Sequence, residues 1–457
     1  MVRYVAILLF LTFPALIAIG QVQEYTLPPE LSDGSSDPSL FLQQGSSQKT
    51  PQEIIPGIYR AAGFGNTLLV TTDEGNVVID TSLPSSAAAH RKLLATVAPD
   101  APKYIIVTHG HGDHVGGIKE WLGPGTKVIA HSSFVEFRAY QDMLSGFFAR
   151  RNAAQFGFQI PDSGENQSDN GPETAVQSPP PENTLPLETF DTTKQLKLGG
   201  LTFDLAHRPA ETYDALTVWI PEKKAIFTGD LLYTSFPNIY TLRGTRPRWA
   251  LDYVAALDHV MTLNADVLIP SHGDAIVGAA AVAATLKKHR DAIQYVHDAT
   301  VAGMNAGKDV HTLMREITLP PELALPETYG KVAWSVRGIY EGYVGWFDGN
   351  PAHMYDTSPT SSFAALVELA GGAAPVAARA QKILEQGSEV EALQLADAAL
   401  SADPSNEAAL RVRLTALQAL RAKSTNFNEA GWLHAAIKST RKTMQAMEMD
   451  EAPPSTQ

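Results

Sequence analysis

Cysteine is absent from the sequence. Disulfides, thiolate zinc fingers, iron–sulfur clusters and cysteine nucleophiles are thereby excluded, and any metal has to be held by His, Asp or Glu. Long apolar runs are lacking too: beyond the first twenty residues none approaches the roughly 20 residues that cross a bilayer. Positive charge is in deficit, with 35 Lys and Arg against 49 Asp and Glu, a formal net charge of −14. That argues against a dedicated nucleic-acid binder, although net charge leaves room for a local basic pocket that holds an anion. Of the 457 residues 44% are hydrophobic and 18% charged, a balance that excludes a wholly disordered, collagen-like or coiled-coil chain. At roughly 150 residues per domain, this length predicts two or three domains.

The chain opens with one early positive charge (Arg3), an apolar stretch from Tyr4 to Ile19, and small residues Ala18 and Gly20 ahead of Gln21. Residues 1–20 read as a signal peptide removed on export, with Pro14 weakening the alternative of a retained anchor. Export implies a periplasmic or secreted protein with no stable membrane span. Residues 21–55, polar and rich in Ser, Gln, Pro and Gly, are predicted to be a flexible linker. From Gly57 short apolar runs begin, and Asp73-Glu-Gly-Asn76 marks a hairpin turn between two of them. Strand-like and helix-like segments then alternate, which predicts an α/β sandwich over residues 56–285. It is interrupted by six prolines between Pro161 and Pro186, read as a flexible surface insertion (161–186) that could hang over an active site. Residues 286–448 have helical character. Within them, Val390 to Ala422 shows a 3.6 period broken at Ala402-Asp-Pro-Ser-Asn406, the form of one tetratricopeptide-like helix pair. A single pair needs a neighbouring domain or a partner subunit to cover its apolar face. Residues 449–457 are predicted to be a disordered tail.

The strongest signal is Tyr104-Ile-Ile-Val-Thr-His-Gly-His-Gly-Asp-His-Val-Gly-Gly117. An apolar strand delivers His109 and His111 in two-residue alternation, so both imidazoles can face one point, while Asp113 and His114 can reach a second. The four glycines let the backbone crowd the site. Three histidines and a carboxylate within six residues have no ordinary core role, because packing would leave several buried nitrogens needing partners.

This His-x-His-x-Asp-His spacing resembles the metallo-β-lactamase fold superfamily, which implies a four-layered αββα sandwich and two divalent metal ions, zinc best suiting imidazole and carboxylate donors. The resemblance implies that His109, His111 and Glu211 hold one metal and that Asp113, His114 and His272 hold the other. Asp230, ending Ala225-Ile-Phe-Thr-Gly-Asp230, would bridge them, and Asp80 would orient ligands from behind. At the distal position most relatives read His-Thr-Pro-Gly-His, whereas this chain has His207-Arg-Pro-Ala-Glu211; His207 stays open as an alternative ligand.

A Glu there is the habit of the alkyl sulfatases, and more of the chain resembles them. Glu211 and Asp230 are 19 residues apart, as the two metal carboxylates of that family are, although its second is Glu. Trp219-Ile-Pro-Glu-Lys-Lys-Ala-Ile and Asn238-Ile-Tyr-Thr-Leu-Arg-Gly244 match the family, and Arg243 corresponds to its sulfate-binding arginine. His289 to Asp298 and Gly342 to Ala352 resemble its all-α dimerisation domain, so a homodimer through the C-terminal helical region is expected. The resemblance runs from about Gly57 to Met447, without the terminal sterol-carrier-like domain of longer members. Two departures bear on substrate: Phe147 stands where the family has a sulfate-holding Asn, and Ala333-Trp334 replaces a Ser-His pair proposed to assist the leaving group. The implied activity is hydrolysis of an alkyl or aryl sulfate, a small amphiphilic or anionic ester, with Asp113, Asp230 and Arg243 as catalytic residues. Arg243, Tyr240, Phe147 and Trp334 would bind substrate, with Phe148 beside them and Arg150, Arg151, Arg246 and Arg248 as further candidates or plain surface charge. Other hydrolyses on the same centre (a phosphodiester, lactone, carboxylic ester or β-lactam) and an inactive metal-binding scaffold are the alternatives.

Overall fold

The computed structural model describes residues 45–156 and 185–450. The predicted signal peptide, most of the linker, the insertion up to residue 184 and the tail from 451 onward lie outside the described residues.

Two mixed sheets face each other. The first holds β1 (Gln52–Ile55), β2 (Ile58–Ala61), β3 (Thr67–Thr72), β4 (Gly75–Thr81), β5 (Tyr104–Ile106), β6 (Lys127–His131) and β7 (Leu187–Phe190) in sequence order. The second runs β8 (Thr193–Leu198), β9 (Leu201–His207), β10 (Leu216–Ile220), β11 (Ala225–Gly229), β12 (Val267–Pro270) and β13 (Ile276–Val277). The hairpin β3–β4 closes where the sequence predicts it, at Asp73 and Glu74. Strand β1 lies inside the predicted linker and pairs antiparallel with β2. Its first two residues, Gln52 and Glu53, are exposed, so an edge strand of this composition carries little apolar signal.

Period-2 alternation builds the layers. Leu68, Val70, Val77, Ile79, Ile106 and Ile129 of the first sheet meet Phe203, Leu205, Val218, Phe227 and Ile269 of the second. The intervening Leu69, Val78, Ile105 and Val128 point outward, against Leu94 of α1 (Pro84–Leu94), Val115 of the turn α2 (Gly112–Val115), Ile118 and Trp121 of α3 (Ile118–Trp121), and Phe134 of α4 (Phe134–Met143). Helix α5 (Ser145–Phe156) follows. On the far side Ile226 and Leu268 point outward onto Tyr253 and Leu257 of α6 (Ala250–Thr262), which makes the parallel crossover from β11 to β12. The result is the αββα sandwich.

An all-α region follows: α7 (Ala279–Asn305), α8 (Val310–Glu316), α9 (Val332–Val344), α10 (Phe363–Leu369), α11 (Ala373–Glu385), α12 (Glu389–Ala402), α13 (Glu407–Lys423) and α14 (Phe427–Asp450). The expected boundary at residue 285 falls inside α7. Val282, Leu286, Ile293 and Val296 of that helix, with Val336 and Ile339 of α9, share one core with α6, so the helical region is continuous with the sandwich. The helix pair foreseen between Val390 and Ala422 is α12 and α13, and Asn406 caps α13 by accepting from the Ala409 N–H at 3.1 Å. Its cover is supplied in cis. Ala380 and Ile383 of α11 interdigitate with Ala392, Ala396 and Val412, small side chains that let the helices approach closely. The pair therefore does not itself require a partner subunit. Helix α14 returns to the sandwich, where Gly431 lies so close that a Cβ would sit 1.8 Å from the Gln155 carbonyl oxygen. Among the described residues no single helix is long and apolar enough to cross a membrane.

Candidate metal centre

The parallel strand pairs β4–β5 and β11–β12 direct their C-terminal ends to one place: Asp80 stands at the end of β4, and the segments after β5, β11 and β12 carry His109 to His114, Asp230 and His272. Glu211 reaches the same place from the loop after β9. The seven residues named from the sequence converge. His109 Nε2 lies 2.8 Å from His111 Nδ1. Asp230 sits at the middle, its oxygens 3.2 Å from His272 Nε2, 3.5 Å from His114 Nε2 and 3.9 Å from His109 Nε2. Asp113 is 3.5 Å from His114 Nε2 and 3.4 Å from His272 Nε2. Donor atoms fall into three overlapping clusters, each within 4.8 Å: His109, His114 and Asp230; Asp113, His114 and His272; and His111, Glu211 and Asp230.

Three imidazoles are tethered through one nitrogen and present the other. His114 donates from Nδ1 to Asp80 Oδ2 at 2.7 Å, His109 Nδ1 lies 3.3 Å from Thr108 Oγ1, and His272 donates from Nδ1 to the Phe64 carbonyl. Each Nε2 is left facing the centre, the arrangement that fixes the tautomer of a metal-binding histidine. Asp80 is fully buried and also accepts from Thr108 N–H (2.8 Å), Thr108 Oγ1 (2.7 Å) and Ser271 Oγ (2.6 Å). His207, the alternative ligand, is spent elsewhere: its ring stacks on His131 at 3.5 Å and its Nε2 donates to the Tyr213 carbonyl.

Electrostatics divide the site. Burial holds His109 down at about 3 and His111 well below its ordinary value, with His109 and Arg243 adding to the effect on His111. Burial also presses on His114 and His272, but the carboxylates of Asp230 and Asp113 overcome it, holding His114 well above the usual range and His272 up at about 9. Burial pushes Glu211 up, opposed by Arg248. His114 Nε2, Glu211 Oε2 and Asp230 Oδ1 are buried with no hydrogen-bond partner. Buried polar atoms are almost always paired, and three orphaned donor atoms on side chains of these overlapping clusters are what a cation would satisfy. The residues present fit divalent metal.

Arg243 is buried, its Nη2 3.2 Å from His111 Nε2. Arg151 holds that loop, donating from Nε to the Arg243 carbonyl at 2.6 Å and from Nη2 to the Leu242 carbonyl. Arg248 is buried against Glu211, whereas Arg150 is exposed and Arg246 pairs on the surface with Glu136. The aromatics expected to bind substrate are not drawn in. Phe147 is 44% exposed beneath Arg151, Tyr240 packs on Gly338, Trp334 lies under Lys331, and Phe148 is buried edge-on to Tyr140. Phe147, Tyr240 and Trp334 have no hydrogen bond or ring contact with the seven central residues among the described residues. The rings that do touch them are Phe64 and Tyr233 against His272 and Phe137 against His111. Sequence reasoning also missed Arg138 and Asp214, which hold the carbonyl (2.9 Å) and N–H (2.8 Å) of Gly110 between the first two histidines.

Residues 60–272 match the metallo-β-lactamase superfamily model and residues 309–443 match the alkyl sulfatase dimerisation model. A linear primary-alkylsulfatase of a Pseudomonas species is 30% identical over 380 residues, 80% of this chain and 72% of the relative. The chain belongs to the alkyl sulfatase family of the metallo-β-lactamase superfamily. An alkyl/aryl-sulfatase of Saccharomyces cerevisiae is 27% identical over 86% of this chain and 64% of its own length. The solved structure of the stereoselective inverting sec-alkylsulfatase Pisa1 from Pseudomonas sp. superposes with a TM-score of 0.74 at 25% identity, over 89% of this chain and 66% of that one. This family member thus spans about two thirds of several of its relatives.

Proposed function

We propose that the chain is a sulfuric ester hydrolase that uses two divalent metal ions, zinc by the chemistry of its donors, on alkyl or aryl sulfates. The observation that carries this is the convergence of seven His, Asp and Glu side chains beside a buried arginine, in a chain whose relatives are named alkylsulfatases. His109, His111, Glu211 and Asp230 would hold one ion and Asp113, His114, His272 and Asp230 the other. Such a pair supplies Lewis acidity and makes a nucleophile available from water at neutral pH. The chain's own contribution is position and charge. Asp80 and Phe64 aim His114 and His272, while Asp113 and Asp230 would be the carboxylates at hand to accept a proton leaving water. Arg243, whose carbonyl is held by Arg151, offers a guanidinium fork that matches sulfate oxygens. Phe64, Phe137 and Tyr233 wall the site and limit its water.

The test is metal content and sulfate release. Purified protein should carry metal and liberate sulfate from dodecyl sulfate, and His111→Ala should lower the metal content and abolish sulfate release. Turnover of a phosphodiester, lactone, carboxylic ester or β-lactam with no sulfate released would replace this reading by another hydrolysis on the same centre. We also propose export by the N-terminal signal and a homodimer through the helical region. The match to the dimerisation model supports the latter, as do exposed apolar residues such as Trp346, Tyr355 and Leu369. Light scattering that returned a monomer at micromolar concentration would contradict the dimer.

A further inference from the structure

We infer that Arg248 is a positioning residue that turns Glu211 into a one-oxygen metal ligand. The inference rests on the metal-centre reading above and goes beyond it, to a side chain outside the seven. Arg248 lies on the loop between β11 and α6, two residues before the helix begins. Its Nη1 meets Glu211 Oε1 at 2.7 Å and donates to the Asn238 carbonyl, also at 2.7 Å. The two side chains are 2% and 4% exposed. The other carboxylate oxygen, Oε2, has no partner, and Glu211 belongs to the cluster with His111 and Asp230. One oxygen is thus tied back, and the unpartnered one is left free to serve the cluster.

A carboxylate on a long, flexible side chain can rotate, turn away or bind a cation through both oxygens. The guanidinium removes that freedom by anchoring one oxygen, and the Asn238 carbonyl in turn anchors the guanidinium. Charge gives a second reason. Glu211 and Asp230 put like charge in one buried cluster, and the guanidinium on the outer oxygen offsets their repulsion without occupying the inner one. A buried ion pair is weak evidence for stability, because desolvation consumes most of the attraction. Arg248 also keeps Nε and Nη2 buried without partners, so the pair is far from an optimised stabilising contact. A role in aiming Glu211 accounts for an arrangement that stability alone would not favour. Outer partners of metal ligands act in this way, and losing one typically weakens metal binding about 10–100-fold.

The experiment uses the full chain, stripped with chelator and titrated with zinc against a chromogenic competitor, with folding followed by circular dichroism. Arg248→Met is expected to lower affinity for one metal equivalent by about 10–100-fold and leave the other within about threefold. Arg248→Lys, which keeps charge but not the fork, should fall between, and it decides the matter if the Met variant does not fold. Glu211→Gln with and without Arg248→Met completes a cycle. Because Arg248 acts through Glu211, the double variant should bind metal no more weakly than Glu211→Gln alone. Equal affinity of folded Arg248 variants and wild type, or losses that add in the double variant, would overturn the inference and leave the metal centre standing. Wild-type protein that takes up no metal would overturn the metal-centre reading itself and this inference with it.

Discussion

Replacing Asp80 by Asn is a nearly isosteric change that should strike both stability and metal binding. Asp80 sits at φ +57, a left-handed conformation that Asn also adopts readily, so the backbone is not strained by the exchange. The damage falls on the hydrogen bonds. Oδ1 accepts from the Thr108 N–H, and Oδ2 accepts from Thr108 Oγ1, His114 Nδ1 and Ser271 Oγ, all buried. An amide has one acceptor oxygen. In its better orientation that oxygen keeps the three Oδ2 contacts, now without charge assistance, and its NH2 faces the Thr108 N–H. Two buried donors are then unpaired, at about 1–3 kcal/mol each, so a loss of about 4 kcal/mol is expected. For a domain of this size that corresponds to roughly 8–16 °C in Tm. Calorimetry in chelator isolates this effect from metal linkage. Chelator competition should then show metal affinity lowered about 10–100-fold, because His114 has lost its tether. A variant that melts within about 3 °C of wild type and binds metal equally well would refute the reasoning.

Three further outcomes are expected. His90 is buried between Thr67 Oγ1 and the Ala62 carbonyl, and burial holds it at about 4. Because the unfolded chain binds that proton more tightly, about 3 kcal/mol of stability present above pH 6.5 is lost as pH falls toward 4, and His90→Gln should flatten this limb in pH-dependent melting. In Gly110→Ala the new Cβ would lie 2.5 Å from the ring of buried Phe137 and 3.2 Å from Asp214 Oδ2. Overpacking should cost about 1–3 kcal/mol and displace His109 and His111, read as lower Tm together with lost metal. Arg151→Met frees the carbonyls of Leu242 and Arg243, so KM for dodecyl sulfate should rise roughly tenfold while kcat changes less, two lost hydrogen bonds being worth about that factor.

What the sequence made legible follows physical concentration of signal. The stretch from Tyr104 to Gly117 packs a strand, a turn and four metal-type side chains into one run, and a frame fixed there located Glu211, Asp230 and His272, which converge on it. Arg248 was not legible as a buried residue, because an arginine between Pro247 and Trp249 in a loop has the look of solvated charge and only the tertiary position of Glu211 shows otherwise. Phe147 and Trp334 mislead for the opposite reason. On α5 and α9 their positions were known, but the rotation of each helix was not, and their rings turn to Arg151 and Lys331 instead. The expected boundary at 285 falls inside α7, a helix that buries one face in the core of the sandwich, so the onset of helical character does not mark where that core ends.

Charge around the centre sets a requirement on substrate binding that can be worked through. Asp80, Asp113, Glu211 and Asp230 bring four negative charges, and Arg243 and Arg248 bring two positive ones, a balance of −2 with neutral imidazoles. In the metal-free chain their carboxylate neighbours favour protonation of His114 and His272, which draws the balance toward zero. Two divalent cations displacing those two protons bring it to −2 + 4 = +2. An anionic ester therefore meets an attractive centre only after metal has bound, since Arg248 is committed to Glu211 and Arg243 alone faces the whole carboxylate set. Metal removal should accordingly abolish binding of the substrate anion as well as its turnover. Calorimetric titration of the stripped protein with a non-hydrolysed alkyl sulfonate should give no measurable heat, and restoring zinc should restore it. Equal sulfonate affinity with and without metal would show that the arginines suffice, and the charge reasoning would fail.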